Sequence, residues 1–540
     1  MKKQQILPIS LTLFVLFFVI GYLLYPLLQL LLASLAEKGV YSQLFSSNVL
    51  QAGFNSVWLS MITIIGSGII GVFFAYIFQY THFRFKSFFS TLILLPISIP
   101  PMVGVMAFLF LLGENGLLSK LFPPETFTFD GWKALILIHL YSFYPLFFLF
   151  ADTGFKNLDN HVIEAAYTLG AGKWKTFYSI MLPQIIPALI GAALLVFMAS
   201  MASFSAPFIF AGSDRFLTTE IYYAKVNGDY ALSAALSVLL TALSVAMLFL
   251  LRWYRNQQPI QGKTKGTGKR QVSFGKEKSN YFSLVAVISF AILLILPILA
   301  LFFLAFSPKN VLMQPSLSYD FSLANFSQLF ESEDFLLPFF NSLESSLVAI
   351  VFTVGIAIAA AYILREKKNA FTSFLEIVIS LPYSIPGTVV AICLILSFNI
   401  ANIFAFNQVL VGTFWILPIA YTIRNLPVLT QSLIAGLRAI DTSVEEAAAT
   451  LGAGKIKIFT AITFPLIVPS LIQGALLVFI NAFGEFVATV LLYGVETKTI
   501  SVEIYAQLRL DNNGLAAAYG VILFLGVMSV VYLSRRVLRK

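Results

Sequence analysis

Few side chains in this sequence could carry polar chemistry. The two that stand out are a cation and an anion set inside apolar runs, Arg424 and Glu485. A charge in such a run is expensive and ordinarily faces the protein interior or water, so the two are expected either to form an interhelical ion pair or to line a path for a solute. The repeat described below aligns them with Ser142 and Ser203, so only one half would present charge. A second feature is Leu-Pro-x-Ser-Ile-Pro, which occurs twice and contributes Pro96, Ser98 and Pro100, then Pro382, Ser384 and Pro386. Proline removes a backbone donor, and within a bilayer the freed carbonyls must be met by neighbours or by water in a cavity. These residues are therefore expected to form a hinge, a cavity lining or a packing kink. Tyr141, Tyr144 and Tyr421 could face a path, although aromatics in spans more often pack. His82, His139 and His161 are scattered and Cys393 stands alone, so no metal site and no disulfide are expected. Residues 262–270 (GKTKGTGKR) imitate a phosphate loop but lack its first glycine and the Ser or Thr after Lys269. No catalytic residue is expected, and no nucleotide hydrolysis by this chain.

The elements that hold these residues follow from composition. Of 540 residues, 59% are hydrophobic and 11% charged, against about 45–50% and 25% in soluble domains. That excludes an ordinary water-soluble globule and predicts an all-α polytopic membrane protein. Twelve apolar runs are each long enough to cross a bilayer as a helix. They lie near residues 8–34, 53–79, 88–112, 133–153, 184–211 and 231–251, then 281–306, 342–364, 371–398, 408–433, 466–493 and 514–534. The first run is too long for a signal-peptide core and is read as an uncleaved span. With both termini in the cytoplasm, 25 of the 34 basic residues fall on the cytoplasmic side, as the positive-inside rule requires. The linker 252–279 carries eight basic residues and one Glu. A loop of that kind suits anionic headgroups of the lipid bilayer better than nucleic acid.

The chain repeats itself. Shifted by 282 residues, Gly154–Phe197 and Gly436–Phe479 agree at 25 of 44 positions. Upstream the offset is 286, pairing Asn55-Ser56 with Asn341-Ser342, and downstream it is 283, pairing Glu220-Ile221-Tyr222 with Glu503-Ile504-Tyr505. Two tandem six-span halves, 1–251 and 280–540, place a pseudo-twofold axis along the membrane normal with a single path between them.

The repeat is most nearly identical in a cytoplasmic loop. Asp159 or Asn160 in one copy, and Asp441 or Thr442 in the other, can cap a short helix. Val162, Ala165, Ala166 and Leu169, with Val444, Ala447, Ala448 and Leu451, make a thin apolar stripe suited to a groove on a partner. Gly170 and Gly452 then let the chain turn toward a span expected to open near Pro183 and Pro465.

Glu164-Ala165-Ala166 with Gly170, Ile180 and Pro183, and Glu446-Ala447-Ala448 with Gly452, Ile462 and Pro465, resemble the EAA loop of permeases in binding-protein-dependent ABC importers. The resemblance spans nearly the whole chain. It implies the type I importer fold, with EAA loops at 154–183 and 436–465 whose helices dock into ATP-hydrolysing subunits. Asp159, Glu164, Ala165, Ala166 and Gly170, with Asp441, Glu446, Ala447, Ala448 and Gly452, are then the coupling residues. It further implies two copies of an ABC ATPase that hold ATP and magnesium, no cofactor on this chain, an external solute-binding protein, and a place in the cell membrane. Phe483 to Thr489 resemble the GEFG-like segment of oxyanion and ferric-iron importers, with Val487 in place of the last glycine. The fused two-half form looks most like the ferric-iron group, whose relatives carry thiamine, phosphonates, polyamines or oxyanions. Two other classes are a secondary transporter with Glu485 as its coupling carboxylate, and a channel or scaffold. The duplicated loop argues against the first, and the second would show flux or partner binding without any need for hydrolysis.

Overall fold

A computed structural model describes residues 2–121, 129–257, 281–309, 311–313, 320–331, 333–365 and 369–538. Most of the basic linker lies outside the described residues, from 258 onward. The protein is an all-α polytopic membrane protein. Among the described residues, nine helices are long and apolar enough to cross a bilayer, and a bent pair makes ten.

The two remaining expected spans depart from a simple rod for physical reasons. The tenth is a helix, Ile416–Arg438, whose Arg424, Asn425 and Pro427 dilute its apolar character. The third span of each half breaks at its proline motif. In the first half Lys86–Ile93 passes through a 3-10 turn, Leu95–Ser98, before Pro101–Leu112. In the second, Ala370–Tyr383 and Gly387–Phe398 meet at 108°. The closely spaced prolines cannot supply the donors that a continuous helix needs at these turns.

The fifth and eleventh spans are displaced from their expected limits. They run over Lys173–Met201 and Lys455–Phe483, starting and ending about ten residues early. Pro183 and Pro465 do not open these helices. Each is preceded by a π-helical turn, Phe177–Met181 and Phe459–Thr463, in which wider pairing carries the helix past the missing proline N–H.

The first span of each half packs on the other half. Tyr22 in the first span donates to the carbonyl of Phe404 at 2.7 Å, and its ring stacks on Phe398. Reciprocally, Tyr141 of the first half donates to the carbonyl of Leu294 in Tyr281–Ala305 at 3.0 Å, and Phe290 stacks on Phe74 at 4.2 Å. The largest buried apolar cluster accordingly contains residues of both halves.

Each half also ties its second span to a loop far along the chain. The Asn55 amide donates to the carbonyl of Arg215, and the Ser56 hydroxyl accepts from the amide of Leu217, both at 3.0 Å. In the second half Asn341 donates to the carbonyls of Glu496 and Lys498 at 2.8 and 2.9 Å, and Ser342 accepts from Ile500 at 2.9 Å. These clamps hold the short helices Leu217–Val226 and Ile500–Arg509. Each of those loops carries an ion pair, Arg215 with Glu220 at 3.2 Å and Lys498 with Glu503 at 2.9 Å.

Candidate functional site

The two repeated loops fold as short capped helices, Asn160–Thr168 and Thr442–Thr450. The Asp159 side chain accepts from the amide of His161 at 2.9 Å, and Asp441 accepts from Ser443 at 3.0 Å. Those bonds satisfy amides that an open helix end would leave unpaired. Gly170 and Gly452 follow at φ +82° and +85°, a left-handed backbone that a side chain would strain. Glu164 and Ala165 are exposed, as are Glu446 and Ala447. Leu169 and Leu451 are 88% and 89% exposed, beside exposed Val162 and Val444. A single exposed leucine needs no explanation, but the same leucine exposed at the same turn of both copies marks a surface built twice. The expected apolar stripe is divided, because Ala166 turns inward with Ile163 and Ala448 is half-buried. What remains outward is Val, Glu, Ala and Leu.

A second site lies at the other end of the fifth and eleventh spans, whose 29 residues cover roughly 40 Å at 1.5 Å per residue. There Arg424 and Glu485 form an ion pair, with Glu485 buried and the Arg424 side chain 30% exposed. Glu485 also accepts from the amides of Ala488 and Thr489 and from the Thr489 hydroxyl, at 3.0, 2.9 and 2.7 Å. The guanidinium rests on Gly387, where a Cβ would come within 2.9 Å of its Cζ, so the charge sits at the bend after Pro386. Gly484 lies closer still to Pro100, where a Cβ would come within 2.6 Å of the proline Cβ, which brings the tail of the eleventh span against the break in the third. Phe204 and Phe486 occupy equivalent positions of the repeat, and they meet across the halves with ring centroids 6.0 Å apart, both fully buried. Phe208 and Tyr505 extend this seam at 5.0 Å, and Tyr222 packs on Phe208 at 4.8 Å.

Ser203 does not join the ion pair. It bonds to His139 Nε2 at 3.1 Å, while His139 Nδ1 lies 3.2 Å from Thr63 Oγ1 and 3.1 Å from Ser200 Oγ, so the first half holds an imidazole–hydroxyl network where the second holds an ion pair. Pro96, Pro100, Pro382 and Pro386 are buried, and Ser98 and Ser384 half-buried, within their breaks. Tyr144 and Tyr421 are fully buried and bonded, to the Ile93 carbonyl and the Thr489 hydroxyl, which is packing. Among the described residues no group of three or more His, Cys, Asp or Glu could hold a metal ion.

The family model described as binding-protein-dependent transport system inner membrane component matches residues 67–258 and 352–540, once in each half. The chain belongs to this family. Two relatives match this permease along nearly its whole length, and a third matches part of it. A probable ABC transporter permease protein of Sinorhizobium fredii, y4fN, is 27% identical over 96% of this chain and 94% of its own. The ferric transport system permease protein FbpB of Actinobacillus pleuropneumoniae is 26% identical over 97% of this chain and 76% of its own. The molybdenum transport system permease protein ModB of Escherichia coli is 27% identical over 38% of this chain and 92% of its own. Among solved structures, a bacterial ABC transporter that imports the acidic polysaccharide alginate is 21% identical with a TM-score of 0.40, over 48% of this chain and 94% of that one. The matched blocks omit the first span of each half of the permease, the spans that cross over.

One residue of the permease's second loop escaped the sequence reading. Glu445, the neighbour of Glu446, points inward and takes two hydrogen bonds from Arg365, Nη1 to Oε1 at 2.7 Å and Nη2 to Oε2 at 2.5 Å, and a third from the Thr463 hydroxyl at 2.5 Å. The guanidinium holds the Glu445 carboxyl below the usual carboxylate range. Its trace in the sequence is that the repeat sets a carboxylate where the first copy has the apolar Ile163, but the partner lies 80 residues away.

Proposed function

We propose that this permease is the membrane subunit of an ATP-driven importer that carries ferric iron, handed to it by an external binding protein. Residues 1–251 and 280–540 act as its two permease halves, with both termini in the cytoplasm. Each loop helix docks into one copy of a separate ATP-hydrolysing subunit, which holds ATP and magnesium. Asp159 and Asp441 start the helices, Gly170 and Gly452 end them, and Glu164-Ala165 and Glu446-Ala447 face the partner, with Ala166 and Ala448 behind them. The observation that carries this reading is the pair of capped helices with the same Val, Glu, Ala and Leu exposed in both. A rigid helix with a thin apolar face is the form that enters a groove on a partner. The long spans Lys173–Met201 and Lys455–Phe483 connect these helices to the aromatic seam, so a push at one end reaches the closure at the other. Iron is favoured because the ferric permease relative is aligned over 97% of this chain. The path is assigned to the faces around Pro96, Ser98, Pro100, Ser203, Pro382, Ser384, Pro386, Arg424 and Glu485. A second reading, an oxyanion, is favoured by the molybdenum permease relative.

Cells lacking this chain and complemented with it are expected to take up labelled ferric iron, and not molybdate, in an ATP-dependent manner. Glu164→Lys together with Glu446→Lys should abolish that uptake while the protein still inserts. Uptake that survives ATP depletion, or the double variant, overturns the reading; molybdate uptake alone replaces iron with the oxyanion.

A further inference from the structure

The two loop helices are seated on the membrane core by different chemistry. Helix Asn160–Thr168 is held by burial, since Ile163 is fully buried and joins an apolar cluster, with Tyr167 packed against it. Met181, at the entry to its span, is also buried there. In helix Thr442–Thr450 none of the nine residues is buried. The repeat replaces Ile163 by Glu445, Tyr167 by Ala449, Met181 by Thr463 and Gln79 by Arg365. Where the first helix offers an apolar foot, the second offers a carboxylate gripped by a forked guanidinium from the end of Glu333–Arg365 and by a hydroxyl from the start of the eleventh span. Arg365 and Glu445 side chains are 24% and 18% exposed, so the pair is partly shielded from water and salt. The forked geometry fixes direction as well as distance, which an apolar foot does not.

We infer that Glu445, through Arg365 and Thr463, is the positioning residue that fixes the second loop helix for its partner, so that the two docking sites fail separately. This rests on the reading of those helices as ATPase docking sites. The exposed Val, Glu, Ala and Leu are the same in both helices, while the residues that seat them differ.

The test uses the complex of this chain with its ATP-hydrolysing subunits, purified in detergent, with the number of subunits per chain as the readout, which needs no knowledge of the solute. Two copies are expected with the natural chain. With Glu445→Gln, affinity at the second site should fall by about tenfold, so that the ratio drops toward one on dilution, and amide exchange in residues 442–450 should quicken while residues 160–168 stay protected. General destabilisation would lower the yield of chain without changing the ratio. Installing the first half's residues beneath the helix, Glu445→Ile with Arg365→Gln and Thr463→Met, should return the ratio to two. A ratio of two with Glu445→Gln, or equal loss of protection in both helices, overturns the inference alone. No subunit bound to the natural chain overturns the docking reading beneath it.

Discussion

Glu485 serves two purposes at one carboxylate. It neutralises Arg424, and it receives the amides of Ala488 and Thr489 where the chain leaves the eleventh span. A charge swap is therefore not equivalent to the natural pair, because arginine has no acceptor to offer those amides. Removing one partner with Glu485→Gln or Arg424→Gln should cost about 3–5 kcal/mol, read as earlier thermal unfolding in detergent. The reversed pair, Arg424→Glu with Glu485→Arg, should remain at least as unstable as either single change; recovery of the natural midpoint would show that only the ion pair counts. That the two charges could meet was legible in the sequence only as one of two readings, an ion pair or a solute path. The second purpose was not, because it depends on the helix stopping at Phe483, and the sequence placed that end ten residues later.

At the level of elements, the repeated Asn-Ser pairs do more than mark an alignment. Each pins a loop about 160 residues away, and Asn341 makes two such bonds where one is found for Asn55. Asn341→Ala should therefore destabilise by about 1–3 kcal/mol and Asn55→Ala by less, measured as shifts in midpoint under the same detergent. Equal shifts would mean that the second bond contributes nothing. Periodicity and proline spacing made the existence of the spans and the breaks at Leu95–Ser98 and Leu381–Tyr383 readable in advance. The starts of the fifth and eleventh spans were misread because a proline about three turns inside a helix looks the same as a proline that opens one. Only the π-helical turn upstream distinguishes them, and it leaves no residue signature.

For the whole molecule, the crossing of the first and seventh spans makes the halves one packed body although they are two copies of one sequence. Cleavage at a protease site inserted within residues 258–280 should leave two pieces that purify together and keep the transport activity of the intact protein. Separation of the pieces in mild detergent would contradict the shared core. The duplication was plain from 25 identities in 44 positions, but the crossing was not. An apolar span is equally apolar toward either neighbour, and the contacts that decide it, such as Tyr22 with Phe404, join residues 382 positions apart. One further consequence belongs to the seam where Phe204 meets Phe486. A cell lives on the voltage across its membrane, and a protein waiting for cargo must not drain it. Two phenyl rings packed between the halves offer protons and sodium no polar partner, so on the proposed import path this seam would keep the waiting protein insulating.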